Sequence, residues 1–203
     1  MELSKVTMIL RGYNVEQVRT VAEVLLHAKY VRNMEITLNT DNAYEIIRII
    51  SDEFQGKLNV GAGTVQTYDE LKKAVDAGAK FVLSPRQMTE DMLAYCKERG
   101  IVSVPGSFTP SEIGDQFAMG ADIVKIFPAN ELSLKYAKKV CEPMGDLKLM
   151  AVGGINRGNV REALDSGYKY VGTAGGLFPK DQILQMDKEK MLISLKEFEA
   201  ELD

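Results

Sequence analysis

Histidine and cysteine are scarce in this chain. Its 203 residues contain one histidine, His27, and two cysteines, Cys96 and Cys141. Two cysteines make no disulfide framework in a chain of this size. A single histidine without a neighbouring cysteine cluster argues against a zinc site, and it leaves catalysis by a Ser/His or Cys/His pair dependent on one residue. We therefore expect no bound metal.

Long apolar runs and clusters of one charge are also missing. The longest apolar runs fall well short of the ~20 residues that a membrane span needs. The formal net charge is −4, and no basic run of the kind that binds nucleic acid is present. The N-terminal MELSKVTMIL leads directly into a strand pattern and lacks the features of a signal peptide. These observations predict a cytoplasmic protein that binds neither membranes nor nucleic acid.

Short apolar runs alternate with longer amphipathic runs along the whole chain. This alternation is typical of a parallel α/β fold. The pattern predicts eight strands, over Val6–Leu10, Met34–Thr37, Leu58–Gly61, Phe81–Ser84, Val102–Pro105, Ile123–Phe127, Lys148–Val152 and Tyr170–Gly172. It predicts helices over Val15–Ala28, Asn42–Phe54, Tyr68–Ala77, Glu90–Arg99, Pro110–Met119, Leu134–Cys141, Gly158–Ser166 and Lys188–Leu202.

The number of β-α units sets the expected architecture. Eight units in about two hundred residues predict a single (β/α)₈ TIM-barrel domain over residues 1–203. Four of the predicted helices are followed by a glycine that can adopt a left-handed capping conformation, namely Gly78, Gly100, Gly120 and Gly167. An open doubly wound sheet is the alternative, but it usually has fewer strands and a glycine-rich turn after the first one.

A lysine interrupts the predicted strand Ile123–Phe127, in which its neighbours are apolar. Burial penalises the charged form of an amine and so lowers the pKa of Lys125. An amine with a lowered pKa can attack a carbonyl group and form a Schiff base. The alternative is an edge-strand lysine that faces water.

A carboxylate on the second predicted strand is the expected partner of this amine. Glu35 and Thr37 lie two residues apart and share a strand face, as do Lys125 and Phe127. If both faces point into the barrel, the amine and the carboxylate converge beside an aromatic ring. This arrangement predicts that Lys125 is a nucleophile and that Glu35 moves protons. The alternative is a buried structural ion pair, in which desolvation offsets much of the Coulomb gain.

Glycine pairs follow the seventh and eighth predicted strands, at Gly153–Gly154 and Gly175–Gly176. In a barrel of this kind the active site lies where the strands end, and these two loops often hold a phosphate on exposed N–H groups. The alternative is that Gly153 and Gly154 only form a tight turn.

Taken in order, the motifs resemble the 2-keto-3-deoxy-6-phosphogluconate (KDPG) and 4-hydroxy-2-oxoglutarate (KHG) aldolase family. The matching runs are MEITLNT (34–40), VGAGTV (60–65), LSP (83–85), VPGSFTPSE (104–112), VKIFPA (124–129) and VGGI (152–155). The resemblance implies a class I aldolase, without metal or other cofactor, that forms a homotrimer. Its expected reaction is reversible cleavage of a keto acid substrate to pyruvate and an aldehyde.

The resemblance also implies a role for individual residues. Lys125 is the expected Schiff-base lysine and Glu35 the expected general acid/base. Thr64 is expected to contact the pyruvyl carboxylate, and Phe127 to pack beside the imine. The full set of expected substrate-binding residues is Arg11, Thr37, Asn39, Thr64, Pro85, Phe127, Gly153, Gly154 and Gly175.

Departures from the family pattern leave the substrate open. Asn39 and Val152 look more like the branch that acts on phosphogalactonate-type substrates, and Gly175 stands where a phosphate-binding serine is common. Arg86, next to Pro85, is either a replacement charge or a solvated surface arginine. Two further hypotheses are a phosphosugar isomerase or epimerase with Glu35 as base, and a non-catalytic binding protein that retains the fold.

Overall fold

The computed structural model describes residues 2–203. All of its strands belong to one parallel sheet. Its nine strand segments are β1 Val6–Leu10, β2 Asn33–Thr37, β3 Asn59–Gly63, β4 Phe81–Leu83, β5 Val102–Val104, β6 Gly106–Ser107, β7 Val124–Ile126, β8 Leu149–Val152 and β9 Tyr170–Thr173. The helices are α1 Val15–Leu25, α2 Ala43–Glu53, α3 Tyr68–Asp76, α4 Glu90–Arg99, α5 Pro110–Ala118, α6 Tyr136–Met144, α7 Val160–Asp165, α8 Lys180–Leu184 and α9 Lys188–Ala200, with a 3₁₀ turn at Ala129–Glu131.

The sheet closes into a barrel at Pro105. Neighbouring strands follow the order β5-β4-β3-β2-β1-β9-β8-β7-β6, so β5 and β6 stand at its two ends. Only Pro105 separates these two segments in the chain, and its carbonyl oxygen accepts a hydrogen bond from the Lys125 N–H at 2.8 Å. Proline has no N–H to donate, which interrupts the ladder here. The predicted (β/α)₈ barrel is therefore confirmed, with its fifth strand divided into β5 and β6.

Most element boundaries agree with the sequence prediction to within a few residues. The four predicted capping glycines all have positive φ, with values from 65° at Gly100 to 104° at Gly78. The third strand was predicted to end at Gly61, whereas β3 continues to Gly63. The helix predicted over Leu134–Cys141 is shifted to α6. Neither α8 nor the 3₁₀ turn was predicted, because each is too short to show helical periodicity.

Successive strand residues point to opposite faces of the sheet, and the apolar ones therefore form two separate clusters. Met34 and Ile36 of β2 belong to the larger cluster, which packs between the strands and the surrounding helices. The smaller cluster fills the barrel interior and consists of Leu3, Ile9, Phe81, Leu83, Val104, Ile123, Met150 and Val152. Because successive strand residues point to opposite faces, Glu35 points into the barrel.

None of the helices within residues 2–203 is long and apolar enough to cross a bilayer. The cytoplasmic location stays a prediction.

Glycine at position 61 is required by the packing of the barrel interior. A Cβ on Gly61 would lie 2.6 Å from three ring carbons of Phe81, which is fully buried. We expect Gly61→Ala to lower the free energy of unfolding by about 1–3 kcal/mol, because the ring has no space to move into. Gly175→Ala is the matched control, since its Cβ would meet nothing within 4 Å. Urea unfolding of both variants checks this, and equal effects would contradict it.

Candidate active site

The side chain of Lys125 lies inside the barrel. Its strand neighbours Val124 and Ile126 pack toward the helices, whereas Ile123 belongs to the interior cluster on the same face as the lysine. Lys125 is 5% exposed, and its Nζ lies 4.8 Å from the centroid of the Phe127 ring. The alternative of an edge-strand lysine is wrong, because β7 pairs with β6 on one side and β8 on the other.

Burial makes the Lys125 amine easier to deprotonate. Loss of hydration lowers the pKa of Lys125 from 10.5 to about 8. The Glu35 carboxylate opposes this shift in pKa, and the positive charge of Arg11 adds to it. A usable fraction of the amine is therefore neutral near physiological pH, as nucleophilic attack on a carbonyl requires.

Glu35 is a buried carboxyl group with a free oxygen. It is 3% exposed, and burial raises its pKa to about 7, against the opposing charges of Lys125 and Arg11. Its Oε2 has no hydrogen-bond partner within residues 2–203, and Lys125 does not approach it within the 4.0 Å of an ion pair. The alternative of a structural Lys–Glu ion pair is therefore wrong. The Glu35 Oε2 atom is therefore free to exchange a proton with a bound group.

A glycine on the next strand makes room for this carboxyl group. Glu35 pairs in register with Gly61, but a Cβ added at Gly63 would overlap the Glu35 carboxyl group. Gly63 lies two residues closer to the C-terminal end of the barrel. The Glu35 side chain therefore leans toward the mouth of the barrel, where substrates bind in this fold.

Phe127 stands between two cavities at the mouth of the barrel. The larger one, called here the glycine-loop cavity, has a volume of about 440 Å³. Its lining residues are Ile9, Arg11, Phe127, Val152, Gly153, Gly154, Ile155, Asn156, Gly172, Thr173, Ala174, Gly175 and Gly176. The structure thus brings together Arg11, Phe127 and the three predicted phosphate-loop glycines.

The turn itself also requires two of these glycines. Gly153 and Gly154 have φ values of 112° and 71°, and a Cβ on either would press against Asn130. A role in the turn is therefore established, and phosphate binding by these two residues stays a prediction. Gly175 differs, because its φ is not positive and nothing lies within 4 Å of an added Cβ.

The second cavity, called here the Arg86 cavity, has a volume of about 280 Å³. It is lined by Pro85, Arg86, Gln87, Gly106, Ser107, Phe108, Glu112 and Phe127. Arg86 therefore lies across Phe127 from the glycine loops. The Arg86 side chain is exposed, as expected of a solvated surface arginine, and its role as a replacement charge for the missing serine stays a prediction.

The other predicted binding residues lie at strand ends near the mouth. The Thr37 hydroxyl is buried and hydrogen-bonds to the Leu10 carbonyl at 3.3 Å and to Thr40 Oγ1 at 3.1 Å. Asn39 is exposed in the loop after β2. Thr64 has a φ of 61°, which is unusual for a β-branched residue and marks a constrained position. Substrate contacts of Thr37, Asn39, Thr64 and Pro85 stay predictions.

Sequence reasoning did not single out Ser107. Its hydroxyl is buried without a hydrogen-bond partner in the part of the chain that the structure describes. Ser107 belongs to the VPGSFTPSE run and to the end of the fifth predicted strand, but it was not among the predicted site residues. The signal that was available is its place at the end of the fifth strand, directly after Gly106.

Lys125→Met removes a buried ammonium group. The pKa of Lys125 is lower in the folded state than in the unfolded chain, so its protonation opposes folding fully below about pH 8 and ceases to do so above about pH 10.5. We expect Lys125→Met to raise the free energy of unfolding at pH 6 by about 1–3 kcal/mol, with the gain vanishing above pH 10.5. Urea unfolding at both pH values measures this. Lys196→Met, on an exposed face of α9, serves as the control, and a loss of stability in Lys125→Met at pH 6 would refute the prediction.

Comparisons with known proteins agree with this geometry. The family model described as KDPG and KHG aldolase matches residues 1–193. The 2-dehydro-3-deoxy-phosphogluconate aldolase of Dickeya dadantii is 34% identical over 170 residues, covering 82% of this chain and 78% of that protein. The probable 2-dehydro-3-deoxy-6-phosphogalactonate aldolase of Rhizobium meliloti is 26% identical over 193 residues, covering 95% and 90%.

A solved structure resembles the whole barrel. The KDPG aldolase of Legionella pneumophila, determined with pyruvate captured at low pH as a covalent carbinolamine intermediate, matches with a TM-score of 0.83 and 27% identity. The match covers 97% of this chain and 93% of that one. The chain thus belongs to the KDPG and KHG aldolase family and is an aldolase, a lyase that acts on carbon–carbon bonds.

Proposed function

We propose that this protein is a class I aldolase that reversibly cleaves a keto acid to pyruvate and an aldehyde. The substrate is a 2-keto-3-deoxy-6-phospho sugar acid of the phosphogluconate or phosphogalactonate type, or 4-hydroxy-2-oxoglutarate. The aldehyde is accordingly glyceraldehyde 3-phosphate or glyoxylate. One observation supports the proposal: a buried amine, Lys125, and a buried carboxyl group, Glu35, influence each other's pKa inside the barrel without forming an ion pair. The names of the relatives support the substrate class.

Lys125 performs the first chemical step. Its neutral amine adds to the C2 carbonyl of the substrate and gives a carbinolamine. Loss of water then leaves a protonated imine, which withdraws electrons from the C3–C4 bond. The captured pyruvate adduct of the Legionella relative supports this route. The low pKa of Lys125 is what allows the attack at neutral pH.

Glu35 performs the proton transfer that breaks the carbon–carbon bond. Its carboxylate accepts the proton of the C4 hydroxyl group, directly or through a water molecule. The C3–C4 bond then breaks, the aldehyde leaves, and the bonding electrons form an enamine on Lys125. Protonation of the enamine at C3 and hydrolysis of the resulting imine release pyruvate. A pKa of Glu35 near 7 suits a group that accepts and returns a proton at neutral pH.

The glycine-loop cavity receives the distal anion of the substrate. Arg11 supplies a positive charge there, and the Gly153–Gly154 and Gly175–Gly176 loops offer backbone N–H groups. The expected homotrimer rests on the family resemblance alone and stays a prediction.

Reductive trapping tests the proposed chemistry. We expect incubation with pyruvate and borohydride to add one reduced pyruvyl group to the intact protein, because borohydride reduces the imine. Lys125→Ala should gain none. Glu35→Gln should still be trapped but should cleave substrate about 10²–10⁴-fold more slowly. Mass spectrometry reads the adduct. An untrapped wild-type protein, or equal trapping of Lys125→Ala, would rule out the Schiff base.

Gly175→Ser tests which end of the substrate the glycine-loop cavity holds. The position has an ordinary φ and free space for a side chain, so a serine fits without displacing neighbours. We expect the added hydroxyl donor to lower KM for a phosphorylated substrate by about 3- to 10-fold, since a hydrogen bond contributes about 0.5–1.5 kcal/mol. KM for 4-hydroxy-2-oxoglutarate should change less. Steady-state kinetics with both substrates measures this, and an equal change for the two would contradict the assignment.

A further inference from the structure

A chain of buried hydroxyl groups joins the loops that follow β1 and β2. The backbone N–H of Gly12 donates to Thr40 Oγ1 at 2.9 Å, and Thr40 Oγ1 lies 3.1 Å from Thr37 Oγ1. The Thr37 hydroxyl donates in turn to the carbonyl oxygen of Leu10 at 3.3 Å. Both threonine side chains are buried. The chain therefore begins and ends on the backbone of one loop, at the two residues that flank Arg11.

The direction of each hydrogen bond in this chain is fixed. A carbonyl oxygen only accepts, so the single hydroxyl proton of Thr37 goes to Leu10. Thr37 has no second proton for Thr40, and Thr40 is therefore the donor of the bond between the two hydroxyl groups. Each hydroxyl group thus donates one hydrogen bond and accepts one. The Thr37 hydroxyl has no proton left to donate to a substrate.

The residue held between the two ends of the chain is Arg11. The Leu10 carbonyl belongs to the peptide group before it and the Gly12 N–H to the peptide group after it, so both peptide groups of Arg11 are anchored. The backbone turns directly after Arg11, because Gly12 has a φ of 75°. Within residues 2–203 the Arg11 side chain forms no ion pair. The two threonines therefore fix the backbone from which an otherwise unpaired guanidinium extends.

The position of this guanidinium matters to both buried groups of the site. Arg11 lines the glycine-loop cavity, and its charge lowers the pKa of Lys125 and the pKa of Glu35. Glu35 and Arg11 are the two charged groups that act on Lys125. Because the energy between two charges falls with their separation, the effect of Arg11 depends on how firmly its loop is held.

We propose that Thr40 and Thr37 are positioning residues that hold Arg11 at the mouth of the barrel. They act through Arg11 and not by contact with the reacting atoms. For substrate binding, this inference rests on the proposed function, in which the glycine-loop cavity takes the distal anion and Arg11 supplies its positive charge. The effect on Lys125 is independent of that function, since the amine and the guanidinium both belong to this chain.

The titration midpoint of Lys125, followed by NMR of ¹³C at the lysine Cε, tests the inference. Thr40→Val keeps the branched shape of the side chain, but it leaves the Gly12 N–H without its acceptor and Thr37 without its donor. We expect the midpoint to rise by about 0.2–0.5 pH units, because a mobile guanidinium opposes the ammonium group less. Thr40→Ser restores the hydroxyl group and should return the midpoint to the wild-type value.

Arg11→Gln separates a positioning role from general damage to the site. In this background Thr40→Val should leave the Lys125 midpoint where Arg11→Gln alone puts it, since the charge to be positioned is gone. Thr20→Val is the matched control. The Thr20 side chain is as buried as that of Thr40, each residue being 7% exposed, and its hydroxyl donates to the Glu16 carbonyl within α1. This control should leave the midpoint unchanged.

Steady-state kinetics tests the consequence for substrate binding. We expect Thr40→Val to raise KM for a phosphorylated substrate about 3- to 10-fold, and to raise it no further in the Arg11→Gln background. Pyruvate has no distal anion, so its half-maximal concentration in borohydride trapping should change less. An equal change for the two ligands would overturn this part of the inference.

Two results of the titration would overturn the inference as a whole. One is an unchanged Lys125 midpoint in Thr40→Val, and the other is the same shift with and without Arg11. If Thr40→Val does not fold, Thr37→Val breaks the chain at its other hydroxyl group and is judged by the same criteria. Failure of the proposed function gives a different result, namely no pyruvate adduct in the wild type, and the NMR titration then still decides the inference.

Discussion

Desolvation of one amine is the constraint on which the rest of the site depends. Lys125 is 5% exposed inside a barrel of paired strands, so its charged form is poorly hydrated. In most proteins a buried lysine is stabilised by a direct ion pair, which keeps its pKa high. Here the nearest buried carboxyl group stands beyond ion-pair distance. The same burial therefore depresses the pKa of Lys125 and raises that of Glu35. Because both pKa values lie near neutral pH, the two groups can accept and release protons there.

Two cavities open at the mouth of the barrel, one on each side of Phe127. Phe127 separates the glycine-loop cavity from the Arg86 cavity, and each cavity contains one arginine. The charge of Arg11 adds to the effect of burial and lowers the pKa of Lys125 further.

Much of the fold was predictable because local patterns and global topology agree. Strand spacing, glycine caps and the parity of Glu35 with Thr37 all pointed to a closed barrel with an inward-facing pair. The division of the fifth strand at Pro105 and the short helix α8 were not predicted. Residue spacing also did not reveal that Gly63 makes room for Glu35, that Asn130 packs against Gly153, or that Arg86 and Gly175 line separate cavities. These features depend on contacts between residues distant in sequence, which periodicity does not encode.

The most direct test of this account is the pKa of Lys125 itself. The protein can be labelled with ¹³C at the Cε of lysine, and the resonance of Lys125 assigned from its absence in Lys125→Met. An NMR titration then follows the protonation of this one amine. The account predicts a midpoint near pH 8, far from that of the exposed lysines. A midpoint near 10.5, the ordinary pKa of a lysine, would contradict it.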